Sequence, residues 1–213
     1  MFVDTSRGRG QDYSTFTVID VSTNPFIQVC TYRCNTMSPL LLPDLLYKYA
    51  QYYNMCYVIV ESNDAGQVVC NGLYYDLEYE NVFVESMIKA NAIGVTMTRK
   101  VKRMGCSNIK DIMEQKKLVI NDEDTIREMS TFISKGSSYE ADHNNYDDLM
   151  MNLVLFGWFT STMFFREATD VKLKHMLYKE KVKQLQDEVI PVGNIYEDKL
   201  NHPFGKGWEV WRG

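Results

Sequence analysis

Histidine is scarce in this chain: there are three in 213 residues, and no second Cys or His pair matches Cys30 and Cys34. A structural zinc site needs four such ligands in two close pairs, so zinc is not expected. The five cysteines, at positions 30, 34, 56, 70 and 106, are odd in number and irregular in spacing. That argues against a disulfide framework and for reduced, partly buried thiols of a cytosolic protein. No apolar run is long enough to cross a bilayer, and the best candidate, residues 149–165, is broken by Asn152, Gly157 and Thr160. The N-terminus has no basic segment leading into an apolar one, so no signal peptide and no membrane association are expected. Repeats, low-complexity stretches and a Gly-rich loop followed by Lys-Ser or Lys-Thr are all missing.

An excess of positive charge is missing too. The formal net charge is −5, which at first sight counts against a nucleic-acid binder. The basic residues are clustered, however. Arg99, Lys100, Lys102 and Arg103 form one run, Lys110, Lys116 and Lys117 follow it, and Arg7 and Arg9 make a small second patch. An enzyme that holds metal with carboxylates and phosphate with a basic groove can be acidic overall.

The pattern of apolar residues predicts a short strand at residues 1–5, a turn through Gly8 and Gly10, and an alternating strand at 14–21. A turn at Asn24-Pro25 leads to a third strand at 26–33. Ser38 and Pro39 open a helix with an apolar stripe at Leu42, Leu45, Leu46, Tyr49 and Tyr53. Tyr57, Val58, Ile59 and Val60 form a continuous apolar run, as expected of a strand covered on both faces. A helix at 65–77 and a strand at 82–85 follow, then a hairpin or loop at 93–101, a short helix at 107–115 and a short strand at 118–120. Asp122, Glu123 and Asp124 open a helix to about residue 133, with acids at its positive end. A strand at 137–141 and a polar loop lead to a long apolar helix at 147–167. Three antiparallel strands followed by a helix and a buried parallel strand imply a mixed α/β sheet with helices on both faces. From residue 169 the character changes to a charged helix at 171–187 and a tail with Gly193, Pro203, Trp208 and Trp211. The expected division is therefore a domain at 1–168 and an extension at 169–213. Met1 stands almost on the first strand, from which the chain is expected to be part of something longer.

Three acidic positions stand out. Asp4 ends the first strand, Glu61 ends the buried run at 57–60, and Asp147-Asp148 begins the long apolar helix. Burying a lone carboxylate costs several kcal/mol, so such acids need a partner. If the first and fourth strands are neighbours, Asp4 and Glu61 lie side by side at their C-terminal ends, where open α/β sheets place their sites. Several hard oxygen donors with few imidazoles favour Mg²⁺ or Mn²⁺, as one ion or two. Each acid also has an ordinary reading, Asp4 as a turn residue, Asp147 as a helix cap, Glu61 in a pair with arginine.

The segments Val3-Asp4-Thr5-Ser6-Arg7-Gly8-Arg9-Gly10-Gln11-Asp12-Tyr13, Val60-Glu61-Ser62-Asn63 and Asp147-Asp148-Leu149-Met150-Met151-Asn152 resemble the nuclease motifs of large terminases from T-even-like tailed phages. Residues 71–77 and 153–159 are similar as well, so the resemblance runs over residues 1–165. It implies a ribonuclease-H-like, resolvase-type fold and a metal-dependent endonuclease that cuts concatemeric viral double-stranded DNA during packaging. It implies metal ligands at Asp4, Glu61 and the Asp147-Asp148 doublet, with Asp148 favoured, Asp147 assisting and Asp12 a further candidate. The catalytic set would be Asp4, Glu61 and Asp148. Where relatives often carry a histidine before the doublet, this chain has Tyr146, with His143 nearby. The implied partners are double-stranded DNA, an ATPase motor domain of the same full-length protein, the portal and the small terminase subunit, in the cytoplasm of the host cell. The motor's phosphate loop is not in this chain.

Arg7, Arg9, Arg99, Lys100, Lys102 and Arg103 are the candidate DNA contacts; the run at 99–103 reads equally as a solvated hairpin, and Arg7 and Arg9, with Gly8 and Gly10, as a simple hairpin turn. Two other functions fit the same pattern: a junction-resolving nuclease of the same fold, which would prefer branched DNA, and a docking module for the packaging portal.

Overall fold

The computed structural model describes residues 1–85, 93–136, 138–167 and 169. Three strands open the chain: β1 (Phe2–Asp4), β2 (Ser14–Asp20) and β3 (Phe26–Cys34). Helix α1 (Leu42–Tyr52), strand β4 (Ile59–Val60) and helix α2 (Gly66–Asn71) follow, α2 running on through a π-helical turn, Gly72–Asp76. After these come α3 (Arg99–Glu114), β5 (Leu118–Val119), α4 (Glu123–Thr131), the hairpin β6 (Phe132–Lys135) and β7 (Ser138–Ala141), and α5 (Asp148–Thr160). The main sheet has the order β4-β1-β2-β3-β5. Its three inner strands are antiparallel, and β4 and β5 lie parallel to β1 and β3. This is the mixed sheet that the element order implied. The expected helix at 171–187 and the tail lie outside the described residues.

Strand alternation sorts the core into two layers. Val3, Phe16, Val18 and Val60 point to one face, where they pack with Leu42, Leu46, Val69 and Leu73 of α1, α2 and the turn after it. Phe2, Ile19 and Ile59 point to the other, against Ile109 of α3 and Leu153, Val154 and Phe156 of α5. Helix α5 is buried almost all round, from Leu149 to Gly157. A helix apolar on every side belongs inside a protein or a membrane. Here it lies between the sheet and α3.

The close passage of α3 and α5 depends on glycine. A Cβ on Gly105 would stand 2.2 Å from the Val154 carbonyl oxygen, and one on Gly157 would stand 2.5 Å from that of Gly105. Gly157→Ala should gain about 1 kcal/mol of helix propensity. Forcing the helices apart costs up to about 3 kcal/mol. The net loss of about 2 kcal/mol should lower Tm by about 4–8 °C, by thermal unfolding. An unchanged or higher Tm would contradict this packing.

Several local expectations need correction. The basic run at 99–103 is the first turn of α3 and not a hairpin. Thr98 caps that helix, its hydroxyl oxygen accepting the Val101 N–H at 3.2 Å. Cationic residues at a helix's positive end oppose its dipole, so the sequence pattern hid this start. Helix α1 begins at Leu42, preceded by a turn in which the Leu41 and Leu42 amides donate to the Ser38 carbonyl. The strand expected at 82–85 is reduced to bridges, Val58 to Val82 and Val84 to Ile93. Helix α4 stops at Thr131, because Phe132 and Ile133 enter the β6–β7 hairpin instead. The long last helix ends at Thr160, and residues 163–167 form a separate helical turn.

Candidate metal centre

The site follows from strand register. Asp4 sits opposite Thr15 of β2, and Thr15 opposite Arg33 of β3. Directly opposed residues share a face, so Asp4, Thr15 and Arg33 form a row on the α5 side of the sheet. Parallel pairing of Val3 with Val60 brings Glu61 beside Asp4, with the Glu61 amide donating to the Val3 carbonyl at 2.9 Å. The chain then folds tightly into α2: a Cβ on Gly66 would stand 1.7 Å from the Glu61 carbonyl oxygen. That position admits only glycine without moving the Glu61 backbone.

Helix α5 delivers the last two acids. Asp147 is its N-cap residue and Asp148 its first helical residue. Their height over the sheet is set by polar groups in an otherwise apolar layer. The Thr15 hydroxyl donates to the Asp148 carbonyl at 3.0 Å. Fully buried Asn152 donates to the hydroxyl oxygens of Thr15 at 3.0 Å and Thr17 at 3.4 Å. Apolar packing alone would let α5 slide. These bonds give it one register.

The electrostatics mark the cluster as strained. Burial pushes the Asp4 carboxyl well above the usual range, and the neighbouring charges of Glu61, Asp148 and Asp147 push it further. Burial also raises Glu61 to about 7, against the pull of Lys102 and with a further push from Asp147. Asp148 is raised to about 7, again chiefly by burial, then by Glu128 and Asp147, with the Tyr13 backbone amide and Arg33 opposing. Carboxylates this close cannot all ionise cheaply. Lys102 supplies one compensating charge, its Nζ 3.9 Å from Asp147 Oδ2.

Does the donor set fit a divalent metal? Asp4, Glu61, Asp147 and Asp148 offer hard oxygen atoms and no sulfur or imidazole, which suits Mg²⁺ or Mn²⁺. Among the described residues no group of three His, Cys, Asp or Glu side chains is close enough to hold an ion unaided. A hydrated Mg²⁺ takes only one or two carboxylates and keeps several waters, so a loose acidic cluster fits it better than a closed cage would. The raised proton affinities point the same way, since a dication relieves the same repulsion that a proton does.

The other candidates are scattered. Asp12 is exposed in the loop between β1 and β2 and is not among the charges acting on Asp4. Arg7 holds Asp64 in a two-pronged pair, Nε to Oδ2 at 2.5 Å and Nη2 to Oδ1 at 2.7 Å. Arg9, Arg99, Lys100 and Arg103 are exposed, whereas Lys102 turns inward to the carboxylates. His143 is exposed in the loop before α5. The five cysteines are free thiols.

Sequence reasoning missed Glu128 and Arg33. Glu128 is buried under the start of α5, and Arg33 is 3.5 Å from it. A single acid inside an amphipathic helix and an arginine at a strand end give no signal until the register is known.

The family profile of the terminase RNaseH-like domain matches residues 1–154. Among solved structures, the large terminase nuclease of thermophilic phage G20c with bound magnesium is 23% identical, with a TM-score of 0.58 over 73% of this chain and 79% of that one. The same nuclease with bound cobalt is 22% identical, with a TM-score of 0.58 over 73% and 77%. The nuclease domain of the large terminase of Thermus phage P74-26 is 24% identical, with a TM-score of 0.55 over 72% and 74%. At these identities the likeness is one of fold.

Proposed function

The chain belongs to the terminase RNaseH-like domain family, and on that premise we propose that it is a metal-dependent endonuclease that cuts concatemeric viral double-stranded DNA during genome packaging. The observation that carries this reading is the convergence of Asp4, Glu61, Asp147 and Asp148 at the C-terminal ends of β1 and β4, with three of them raised in proton affinity. The G20c nuclease, of the same fold, is known with magnesium and with cobalt bound, which supports a divalent ion here, Mg²⁺ or Mn²⁺. The T-even-like affiliation rests on the motifs at 3–13, 60–63 and 147–152.

Asp4, Glu61 and Asp148 would share one or two hydrated ions, with Asp147 assisting. One or two such ions, when bound, activate a water and neutralise charge on the leaving oxygen of a phosphodiester. The protein's own part is to fix the carboxylates: Asp4 and Glu61 by strand pairing, Asp148 by the helix start and its bond to Thr15. Lys102 offsets part of their charge. The exposed cations of the first turn of α3, Arg99, Lys100 and Arg103, are suited to the DNA backbone. Contacts of that kind position a duplex without reading its sequence. The motor domain, the portal and the small subunit are the partners this role requires, in the host cytoplasm.

The test is plasmid nicking with Mg²⁺, Mn²⁺ or EDTA. Cutting that needs the metal supports the reading. Equal cutting in EDTA, or none with either metal, contradicts it. A second expectation concerns DNA binding. Replacing Arg99, Lys100 and Arg103 with Ala should weaken duplex binding mainly at low salt. The slope of log K against log salt should become shallower by up to about 3, roughly one unit for each phosphate no longer neutralised. An unchanged slope would mean that this turn is only solvated surface.

A further inference from the structure

The acidic doublet at the start of α5 is held by groups outside the metal cluster. Glu128, on α4, is 5% exposed, and its Oε2 accepts the backbone N–H of Leu149 at 2.7 Å and of Met150 at 3.0 Å. These are two of the amides that the first turn of a helix leaves without a partner inside the helix. The helix's own N-cap residue, Asp147, makes no capping bond through its side chain. An acid 21 residues upstream does that work instead, so neither carboxylate of the doublet is taken up in capping its own helix.

Glu128 is itself held. The Arg33 guanidinium, at the end of β3, stands 3.5 Å from Glu128 Oε1. It lies over the rings of Tyr13, 3.9 Å from the centroid, and Tyr146, 5.1 Å from it. The two rings meet edge to face at 5.0 Å. Tyr146 is the residue before the doublet, and the Tyr13 backbone amide stands against the Asp148 carboxylate. The interactions therefore close a ring around the corner: Asp148, Tyr13, Arg33, Glu128, and back to the amides of Leu149 and Met150. A buried ion pair is poor evidence of stabilisation, since apolar residues of similar volume often serve as well or better. Its placement on the backbone of the doublet gives it another role.

Resting on the metal-centre reading above, we propose that Glu128 and Arg33 are positioning residues that hold the Asp147-Asp148 corner in its metal-binding geometry. Tyr13 and Tyr146 keep the Arg33 guanidinium flat against that corner. Outer groups that orient metal ligands typically change metal affinity by about 10–100-fold when removed.

The experiment compares wild type with Glu128→Ala, Glu128→Gln and Arg33→Met. Two curves are measured below the Tm of every variant: the rise of Tm with Mg²⁺ concentration, and plasmid nicking against Mg²⁺ concentration. Glu128→Ala should shift the half-saturating Mg²⁺ of both curves upward by about tenfold or more, with the rate at saturating Mg²⁺ falling far less. Glu128→Gln keeps an oxygen for the two amides and should recover most of that shift. It also serves as the folded control if the alanine variant does not fold. Arg33→Met should shift both curves in the same direction as Glu128→Ala. Wild-type half-saturation in Glu128→Ala and Arg33→Met would overturn the inference alone, leaving Glu128 a stabilising cap. A wild type whose Tm does not respond to Mg²⁺ would overturn the metal-centre reading and this inference with it.

Discussion

Asp4→Asn should abolish cleavage and, in metal-free buffer, raise the melting temperature. Both effects have one cause. Asp4 sits where burial and three acidic neighbours oppose its charge, so the native state is strained by the group that the proposed function requires. Neutralising the side chain with an isosteric amide should relieve this strain. A gain within the about 0.5–2 kcal/mol common for single stabilising changes would raise Tm by about 1–8 °C. Metal-assisted charge stabilisation contributes several kcal/mol to a transition state. Because about 1.36 kcal/mol is tenfold in rate, its loss should slow nicking by about a thousandfold or more. Plasmid nicking and thermal unfolding of the same preparation check both. A folded Asp4→Asn that cuts at the wild-type rate would remove Asp4 from the centre. A sharp fall in Tm would mean that its carboxylate is a structural bond and not a strained ligand.

The second large effect is the dependence of metal binding and stability on pH. Glu61 and Asp148 are raised to about 7 from ordinary values of 4.5 and 3.8. Between roughly pH 4 and pH 7 the folded protein therefore binds more protons at these groups than the unfolded chain does. Stability must then fall as pH rises through that window. The contribution is fully present below the unfolded values and lost above about pH 7. A divalent cation needs the deprotonated carboxylates and displaces their protons. Its stabilising effect should therefore have the opposite slope. Addition of Mg²⁺ should raise Tm little at about pH 5.5 and markedly at about pH 8, and binding near pH 6.5 should release protons. Thermal melts across this range, with and without Mg²⁺, give the comparison. A Mg²⁺ increment that is flat with pH would show that these carboxylates do not hold the ion.

Much of the candidate site is legible in the sequence because period-2 alternation is rigid. Once Phe2 and Val3 are recognised as a buried strand, Asp4 must lie on the face of Phe2, and an acid directly after the run at 57–60 must end beside it if the strands pair. The doublet before a wholly apolar helix was legible for the same reason, as charge where burial begins. What escaped depends on tertiary register. Arg33 reaches the row of Asp4 and Thr15 only through the β2–β3 pairing. Glu128 caps a helix that is not its own. The start of α3 was hidden because its basic residues contradict the helix dipole, and Gly105 within it is needed for the crossing with α5. Sequence adjacency groups Lys102 with the candidate DNA-contacting cations, while the helical period turns it to Asp147 and leaves Arg99, Lys100 and Arg103 exposed.

Anomalous scattering from a crystal soaked in Mn²⁺ shows whether these carboxylates are ligands. One or two peaks are expected, bounded by Asp4, Glu61 and Asp148 and absent from the Asp4→Asn crystal. No peak there, or peaks that persist in Asp4→Asn, would contradict the metal-centre reading.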